Sequence, residues 1–213
     1  MITTVIWDWN GTLLDDARYS MGVMNGILAE RNMPLIDSVE AYYRAFDFPI
    51  RKYYANVGFA DEESFAEVSV AWMNAYMAGE SACGLRETAA EAMDLLKANG
   101  VRQVVVSASE IGNLRKQIDR LGLTGRFDDL RGLNHIYATS KTDVARKWLT
   151  DSGERVQNVL FIGDTTHDFE VASALGCRCV LVSGGHQARA ALETCGCAVA
   201  GTPFKAARQA LEY

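Results

Sequence analysis

The chain has 213 residues, which suits one α/β domain with a small insertion, and 49% of its residues are hydrophobic. Its formal net charge of −6 and its lack of basic clusters argue against a nucleic-acid partner, whose phosphates would need neutralising. No apolar run approaches the length of a membrane span, and no signal-peptide pattern opens the chain. We therefore expect a cytoplasmic protein, with no nucleic acid or membrane among its partners and with reduced cysteines.

The first predicted element is a buried parallel strand at residues 5–7, which ends abruptly at polar residues. Residues 17–79 then lose strand-like runs, and their apolar side chains fall at helical spacing in four segments. The second of these helices begins near Asp37 and Ser38, either of which suits a helix N-cap. We therefore predict an all-helical insertion over residues 17–79.

Strands and helices alternate through the rest of the chain. Strands are predicted at residues 101–106, 127–133, 159–162, 179–182 and 198–200. Helices are predicted at 85–99, 111–121, 141–150, 169–175 and 186–194, with a last one from 204. This alternation is typical of a doubly wound parallel sheet, so we assign residues 1–16 and 80–213 to one α/β core.

Polar residues follow three of the predicted strands, where open α/β sheets bind their ligands. Asp8 follows the first strand, Ser107 the second and Asp164 a later one. Lys141 opens a helix, where a cation opposes the helix dipole and an anionic partner would offset that cost. Asp168 suits the N-cap of the helix after Asp164.

These residues resemble the motifs of the haloacid dehalogenase (HAD) superfamily, in the expected order along the chain. Residues 8–12, Asp-Trp-Asn-Gly-Thr, resemble its Asp-x-Asp-Gly-Thr motif, and residues 163–168 resemble Gly-Asp-x-x-x-Asp. The helical insertion resembles a C1 cap, and Gly184-Gly185-His186 is similar to phosphoglycolate phosphatase-like members. The resemblance implies a Rossmann-like α/β core with an inserted all-helical cap.

The resemblance also implies a Mg²⁺-dependent phosphatase that acts on a small phosphorylated metabolite, as a monomer or a homodimer. Asp8 would be the nucleophile that forms an aspartyl phosphate. The implied metal ligands are Asp8, the main-chain carbonyl of Asn10, Asp164 and, directly or through the second shell, Asp168. The phosphoryl oxygens would be held by Ser107, Lys141 and main-chain N–H groups near Trp9 and Ala108.

One position departs from the family pattern. Asn10 stands where the family has the Asp that acts as general acid and base, and an amide cannot carry a proton in that role. General acid and base catalysis contributes a factor of roughly 10² to 10⁴ in rate. We therefore expect slow turnover of alkyl phosphates, whereas an aryl phosphate would need less protonation.

Other functions stay open at this stage. A dehalogenase would not need the metal carboxylate at Asp164, and a phosphonatase would use a cap lysine, for which Lys52 is the one candidate in residues 17–79. A phosphate-binding regulatory protein without efficient chemistry also suits Asn10. We expect His167 to pack in a loop, and the Cys-x-Cys pairs to be free cysteines rather than a metal site.

Substrate choice is assigned to the cap. The residues there that could face the site are Tyr42, Tyr43, Arg44, Phe46, Arg51, Lys52, Tyr53 and Tyr54. Arg44 and Arg51 are the predicted substrate-binding cations, although aromatic residues at helical spacing more often belong to a core.

Overall fold

A parallel sheet forms the centre of the computed structural model, which describes residues 1–137 and 140–213. Within those residues the sheet has six strands in the order β3-β2-β1-β4-β5-β6. The strands are β1 Thr4–Trp7, β2 Arg102–Glu110, β3 Asp129–Leu133, β4 Val159–Gly163, β5 Arg178–Val182 and β6 Ala198–Ala200. Because β1 lies between β2 and β4, the residues that follow these three strands meet at one edge of the sheet.

Four helices follow β1 and make up most of the predicted insertion. They are α1 Ala17–Glu30, α2 Val39–Ala45, α3 Ile50–Asn56 and α4 Glu62–Gly79. They enclose an apolar cluster of their own, which includes Met24, Tyr42 and Phe65. The Ser38 hydroxyl accepts a hydrogen bond from the N–H of Ala41 at 3.1 Å, which makes Ser38 the N-cap of α2. No helix in the described part of the chain is both long and apolar enough to cross a membrane.

The remaining helices cover both faces of the sheet, which confirms the predicted doubly wound architecture. They are α5 Ala89–Ala98, α6 Ile111–Arg120, α7 Thr142–Ser152, α8 Thr166–Leu175, α9 Arg189–Glu193 and α10 Pro203–Glu212. Alternate residues of β1 serve two separate cores: Val5 and Trp7 pack with α5, α6 and α10, and Ile6 packs with α7 and α8. From Val5 to Trp7 the strand therefore places apolar side chains in both cores, and the acidic Asp8 follows directly.

Two helices begin later than the sequence pattern predicted, and tertiary contacts explain both differences. The helix predicted from residue 85 begins at Ala89, because Leu85 forms an antiparallel bridge with Leu14 and Thr88 has a left-handed backbone (φ +65°). The helix predicted from residue 186 begins at Arg189, because the backbone N–H of His186 is donated to a side chain of the site described next.

Candidate active site

Asp8 and Lys141 form a buried ion pair at the carboxyl end of the sheet. The N–H of Asp8 extends the β1–β4 ladder by donating to the carbonyl of Ile162 at 2.8 Å, which fixes the Asp8 backbone. Lys141 immediately precedes α7, and its ammonium contacts the carboxylate of Asp8 and that of Asp168, the latter at 2.7 Å. Only 3% of Lys141 is exposed, so its charge needs anionic partners. The two carboxylates offset both the burial of the ammonium and its unfavourable position at the N-terminus of a helix.

The carboxylate of Asp168 is held by the first turn of α8. Its Oδ2 accepts hydrogen bonds from the N–H groups of Asp164 (3.0 Å) and Thr165 (2.9 Å) and from the Thr165 hydroxyl (2.7 Å). The predicted N-cap at Asp168 was wrong: Thr165 caps the helix, and Asp168 closes the reciprocal capping box from the third helical position. With Oδ1 on Lys141, Asp168 is placed to orient the lysine.

Asp164 is enclosed by backbone and is aimed at the same point as Asp8. It accepts hydrogen bonds from the Thr12 hydroxyl at 2.8 Å and from the N–H of His186 at 2.6 Å. A Cβ atom on Gly11, whose φ is +70°, would lie 2.3 Å from Oδ2 of Asp164, and a Cβ atom on Gly185 would lie 2.2 Å from it. Both positions therefore require glycine for the chain to approach this carboxylate.

The three carboxylates of Asp8, Asp164 and Asp168 fit a divalent cation. Each offers an oxygen, and these oxygens lie within 4.8 Å of one another in buried surroundings. Burial, together with the neighbouring Asp168 and Asp164, raises the pKa of Asp8 to about 8 against the opposing effect of Lys141. Carboxylate oxygens are ligands that Mg²⁺ prefers, so the donor set matches that ion chemically.

Asn10 occupies the predicted acid and base position but directs both ends of its amide into protein contacts. Its Nδ2 donates to Oδ2 of Asp16 at 2.7 Å and to the Tyr76 hydroxyl at 3.1 Å. Its Oδ1 accepts a hydrogen bond from the Ser109 hydroxyl at 2.7 Å. The amide thus ties the loop after β1 to β2 and to the insertion helix α4.

Asp16 and His186 form a second buried ion pair that sequence reasoning missed. His186 Nε2 lies 3.3 Å from Oδ1 of Asp16, which also accepts the N–H of Gly11 at 2.9 Å, and the Tyr76 hydroxyl donates to Oδ2 at 2.7 Å. Burial favours neutral forms of both groups, but their mutual attraction outweighs it: the pKa of His186 rises to about 9 and that of Asp16 falls. His186 Nδ1 lies 2.7 Å from the Tyr42 hydroxyl.

The sequence held only weak signals for this pair. Asp16 follows the first motif directly, and His186 closes the Gly-Gly-His triplet, but neither had an assigned role. Their partner Tyr76 lies 60 residues from Asp16 along the chain. The core itself brings Asp16 to His186, and the docking of α4 adds Tyr76.

The structure also places the predicted phosphate-binding residues. Ser107 and Ala108 line a cavity next to Asp8, and the Ser107 hydroxyl accepts the N–H of Ser109 at 3.0 Å. The Trp9 side chain belongs to the core and donates its indole N–H to Gln117 at 2.8 Å, so only its backbone is placed to contact a ligand.

The two cap arginines are not brought to this cavity. Arg44 is exposed on α2, and Arg51 pairs with Glu62 on the outside of the insertion, with its guanidinium carbon 5.1 Å from the centre of the Phe65 ring. Their aromatic neighbours behave differently, since Tyr42, Phe46, Tyr53 and Tyr54 line the cavity.

Comparison with known proteins agrees with this geometry. The family model for haloacid dehalogenase-like hydrolases matches residues 5–182, so the chain belongs to that family, as its motifs predicted. No protein of curated function matches the chain.

Solved structures of low sequence identity share the whole fold. A protein described as a predicted phosphatase from Clostridium acetobutylicum has a TM-score of 0.86 at 17% identity, with 100% of each chain covered. A haloacid dehalogenase-like hydrolase from Streptococcus pneumoniae scores 0.84 at 18% identity, with 96% of each chain covered. A protein described as a predicted phosphoglycolate phosphatase from Haemophilus somnus scores 0.79 at 17% identity, again with 96% of each chain covered.

Proposed function

We propose that this hydrolase is a Mg²⁺-dependent phosphatase for a small phosphomonoester and forms a phosphoryl intermediate on Asp8. One observation carries the proposal: the buried Asp8 and Asp164, which follow adjacent strands, converge with the buried Lys141 beside a cavity. Lys141 and main-chain donors suit the anionic equatorial oxygens of a phosphoryl group in transfer. Proteins of the same fold named as phosphatases add support by analogy.

The chemistry has two steps on one carboxylate. A carboxylate oxygen of Asp8 attacks phosphorus, and the ester oxygen leaves with the bonding electrons. Water then attacks phosphorus, the bond from phosphorus to Asp8 breaks, and inorganic phosphate leaves with the carboxylate restored. Over both steps one proton of the water ends on the released alcohol. Lys141 and Ser107 would position the transferring oxygens, and Asp168 would keep the lysine in place. Bound Mg²⁺ would reduce the repulsion between Asp8 and the phosphate, with Asp164 and the Asn10 carbonyl as its other protein ligands.

The leaving oxygen has no carboxylic acid beside it at position 10. Asn10 is held by Asp16, Tyr76 and Ser109, so its amide supplies neither a proton for departure nor a base for the attacking water. The rate should therefore depend strongly on the acidity of the alcohol released.

The direct test is Mg²⁺-dependent phosphate release from a panel of phosphate esters. We expect Asp8→Asn to abolish release and to leave no phosphoryl label on the chain. Asp15→Asn is the matched control, because Asp15 is the exposed neighbour in the same segment and should behave like the native chain. Release that persists with excess EDTA or in Asp8→Asn would contradict the proposal.

A second candidate is a phosphate-ligand sensor that has lost turnover, and Asn10 is the observation that favours it. A protein stabilised by Mg²⁺ and beryllofluoride but inactive on every ester would support the sensor. A phosphonatase would need a cap lysine at the site, and Lys52 does not line the cavity. Its side chain is 59% exposed, and its Nζ lies 3.4 Å from Oδ2 of Asp47. The buried Asp164 also argues against a dehalogenase, which would not need that carboxylate.

A further inference from the structure

The cavity beside Asp8 continues into the insertion and is walled there by aromatic side chains. Its volume is about 130 Å³. The aromatic residues on this wall are Tyr42, Phe46, Phe48, Tyr53, Tyr54, Trp72 and Tyr76. A protein cavity of about 150 Å³ holds one benzene molecule, so this space limits the group that it accepts to about one ring.

Several of these rings are fixed by stacking, so the wall is preorganised. Trp72 stacks on Tyr76 with centroids 4.8 Å apart and planes 20° apart. Phe46 stacks on His186 at 4.8 Å and 19°. Rings held in this way present flat apolar faces at little additional entropic cost when a ligand binds.

The wall offers no cation to a second negative charge on the substrate. Among the described residues that line the cavity, Lys141 is the sole lysine or arginine, and it already pairs with Asp8 and Asp168. His186 pairs with Asp16, and Glu110 adds a further acidic side chain to the wall. A carboxylate next to the phosphate ester would therefore lose its hydration without gaining a cation to pair with.

Among the described residues that line the cavity, two buried hydrogen-bond donors lack a partner. They are the hydroxyl of Tyr53, a residue that is only 3% exposed, and the indole N–H of Trp72. Buried donors of this kind are normally paired, which indicates a ligand that carries an uncharged polar atom as well as an apolar body.

We propose that the cavity binds the alcohol part of the substrate, and that this part is an uncharged aromatic alcohol of about one ring. The inference rests on the proposed phosphatase function and specifies its substrate class. It also explains how the chain could work with Asn10, because the more acidic the aromatic alcohol, the less its departure depends on a proton donor.

The test separates ring recognition from leaving-group acidity. Benzyl phosphate and 2-phosphoglycolate are both primary alkyl esters, and acetyl phosphate is small but has a good leaving group. We expect kcat/KM for benzyl phosphate to exceed that for 2-phosphoglycolate by about tenfold or more, since one buried ring accounts for a difference of that size. Equal values, or a preference for 2-phosphoglycolate, would overturn the proposal.

Matched variants locate the effect in the cavity. Ser69 is buried in the lining and Val70 is 44% exposed on the same helix, so Ser69→Leu fills part of the space while Val70→Leu enlarges an apolar side chain outside it. Ser69→Leu should lower the ratio of kcat/KM for benzyl phosphate to that for acetyl phosphate about tenfold, mainly through KM. Val70→Leu should keep the native ratio, and an equal ratio in all three proteins would place the ring elsewhere.

A binding experiment on the native protein covers the cases in which Ser69→Leu does not fold or no ester turns over. Benzylphosphonate should bind about tenfold more tightly than methylphosphonate in the presence of Mg²⁺. Tyr53→Phe should weaken the binding of benzylphosphonates that carry a ring hydroxyl more than it weakens the binding of benzylphosphonate itself. If neither the phosphate esters nor acetyl phosphate are hydrolysed, the phosphatase proposal fails. The phosphonate pair then still tests whether the cavity binds a ring. Equal binding of the two phosphonates would refute the aromatic site whatever the turnover.

Discussion

Replacing Asn10 with Asp would test how this chain manages without a carboxyl group at that position. The substitution turns the Nδ2 donor, 2.7 Å from Oδ2 of Asp16, into an oxygen. Two unit charges about 4 Å apart at an effective dielectric constant of about 20 repel by roughly 4 kcal/mol, equivalent to a shift of about three pKa units. The new carboxyl group should therefore keep its proton near neutral pH.

A protonated acid at position 10 is the proton donor that the native chain lacks. We expect Asn10→Asp to raise kcat for benzyl phosphate about 10²-fold, at the lower end of what general acids contribute, and to change kcat for phenyl phosphate much less. Its free energy of unfolding should fall with rising pH, because the folded state holds the added proton more tightly than the unfolded chain. Steady-state kinetics and urea unfolding between pH 5 and pH 9 measure both effects.

A double-mutant cycle tests whether repulsion from Asp16 causes the loss of stability in Asn10→Asp. Asn10→Asp should cost less stability in an Asp16→Asn background, because the repulsion is absent there. Asn74→Asp makes the same chemical change at an exposed position of α4 and should change neither kcat nor stability appreciably. A stable Asn10→Asp variant with no gain on benzyl phosphate would refute the role assigned to this position.

Three further predictions concern other charged groups. Lys141→Met should reduce turnover at least about 10²-fold and, without Mg²⁺, destabilise the fold by about 3–5 kcal/mol, because it leaves buried carboxylates unpaired; metal addition should recover much of that stability in thermal unfolding. Because the pKa of His186 is raised to about 9, its contribution to stability is complete below its unfolded pKa of about 6.5 and is lost as the pH rises through 9. In EDTA, His186→Gln should therefore lose less stability than the native chain between pH 7 and pH 10, and parallel curves would contradict the ion pair with Asp16. Arg51→Ala should leave KM for phosphate esters unchanged, since that side chain pairs with Glu62 outside the cavity, and a large rise in KM would show that the arginine reaches the substrate.

The core and its acidic cluster could be predicted because both depend on short sequence patterns: apolar strands that end in polar residues. Asp8 and Asp164 end apolar strands, parallel strands align their ends, and Lys141 opens the intervening helix. Short motifs therefore carried enough information to predict that these groups would meet. Helical periodicity in four segments likewise predicted the four helices that lie between Ala17 and Gly79.

The substrate side of the site could not be predicted in the same way. The periodicity of α2 and α3 marks an apolar face but does not say which flank of that face overlooks the core, so Arg44 and Arg51 were equally plausible there. Asp16 gained its role only through Tyr76 and His186, which are distant in sequence. Contacts between the insertion and the core depend on docking, which leaves no local pattern.

Tyr76 and Tyr42 connect the insertion helices directly to the polar residues around Asp8. Any swing of α4 away from the sheet must break the contact of Tyr76 with Asp16 and Asn10, and any movement of α2 must release His186 from Tyr42. Each opening would admit water to the charged groups that surround the nucleophile, and each closure would expel it. Entry of substrate and the electrostatic surroundings of Asp8 would then be coupled, because the same hydrogen bonds hold both in place.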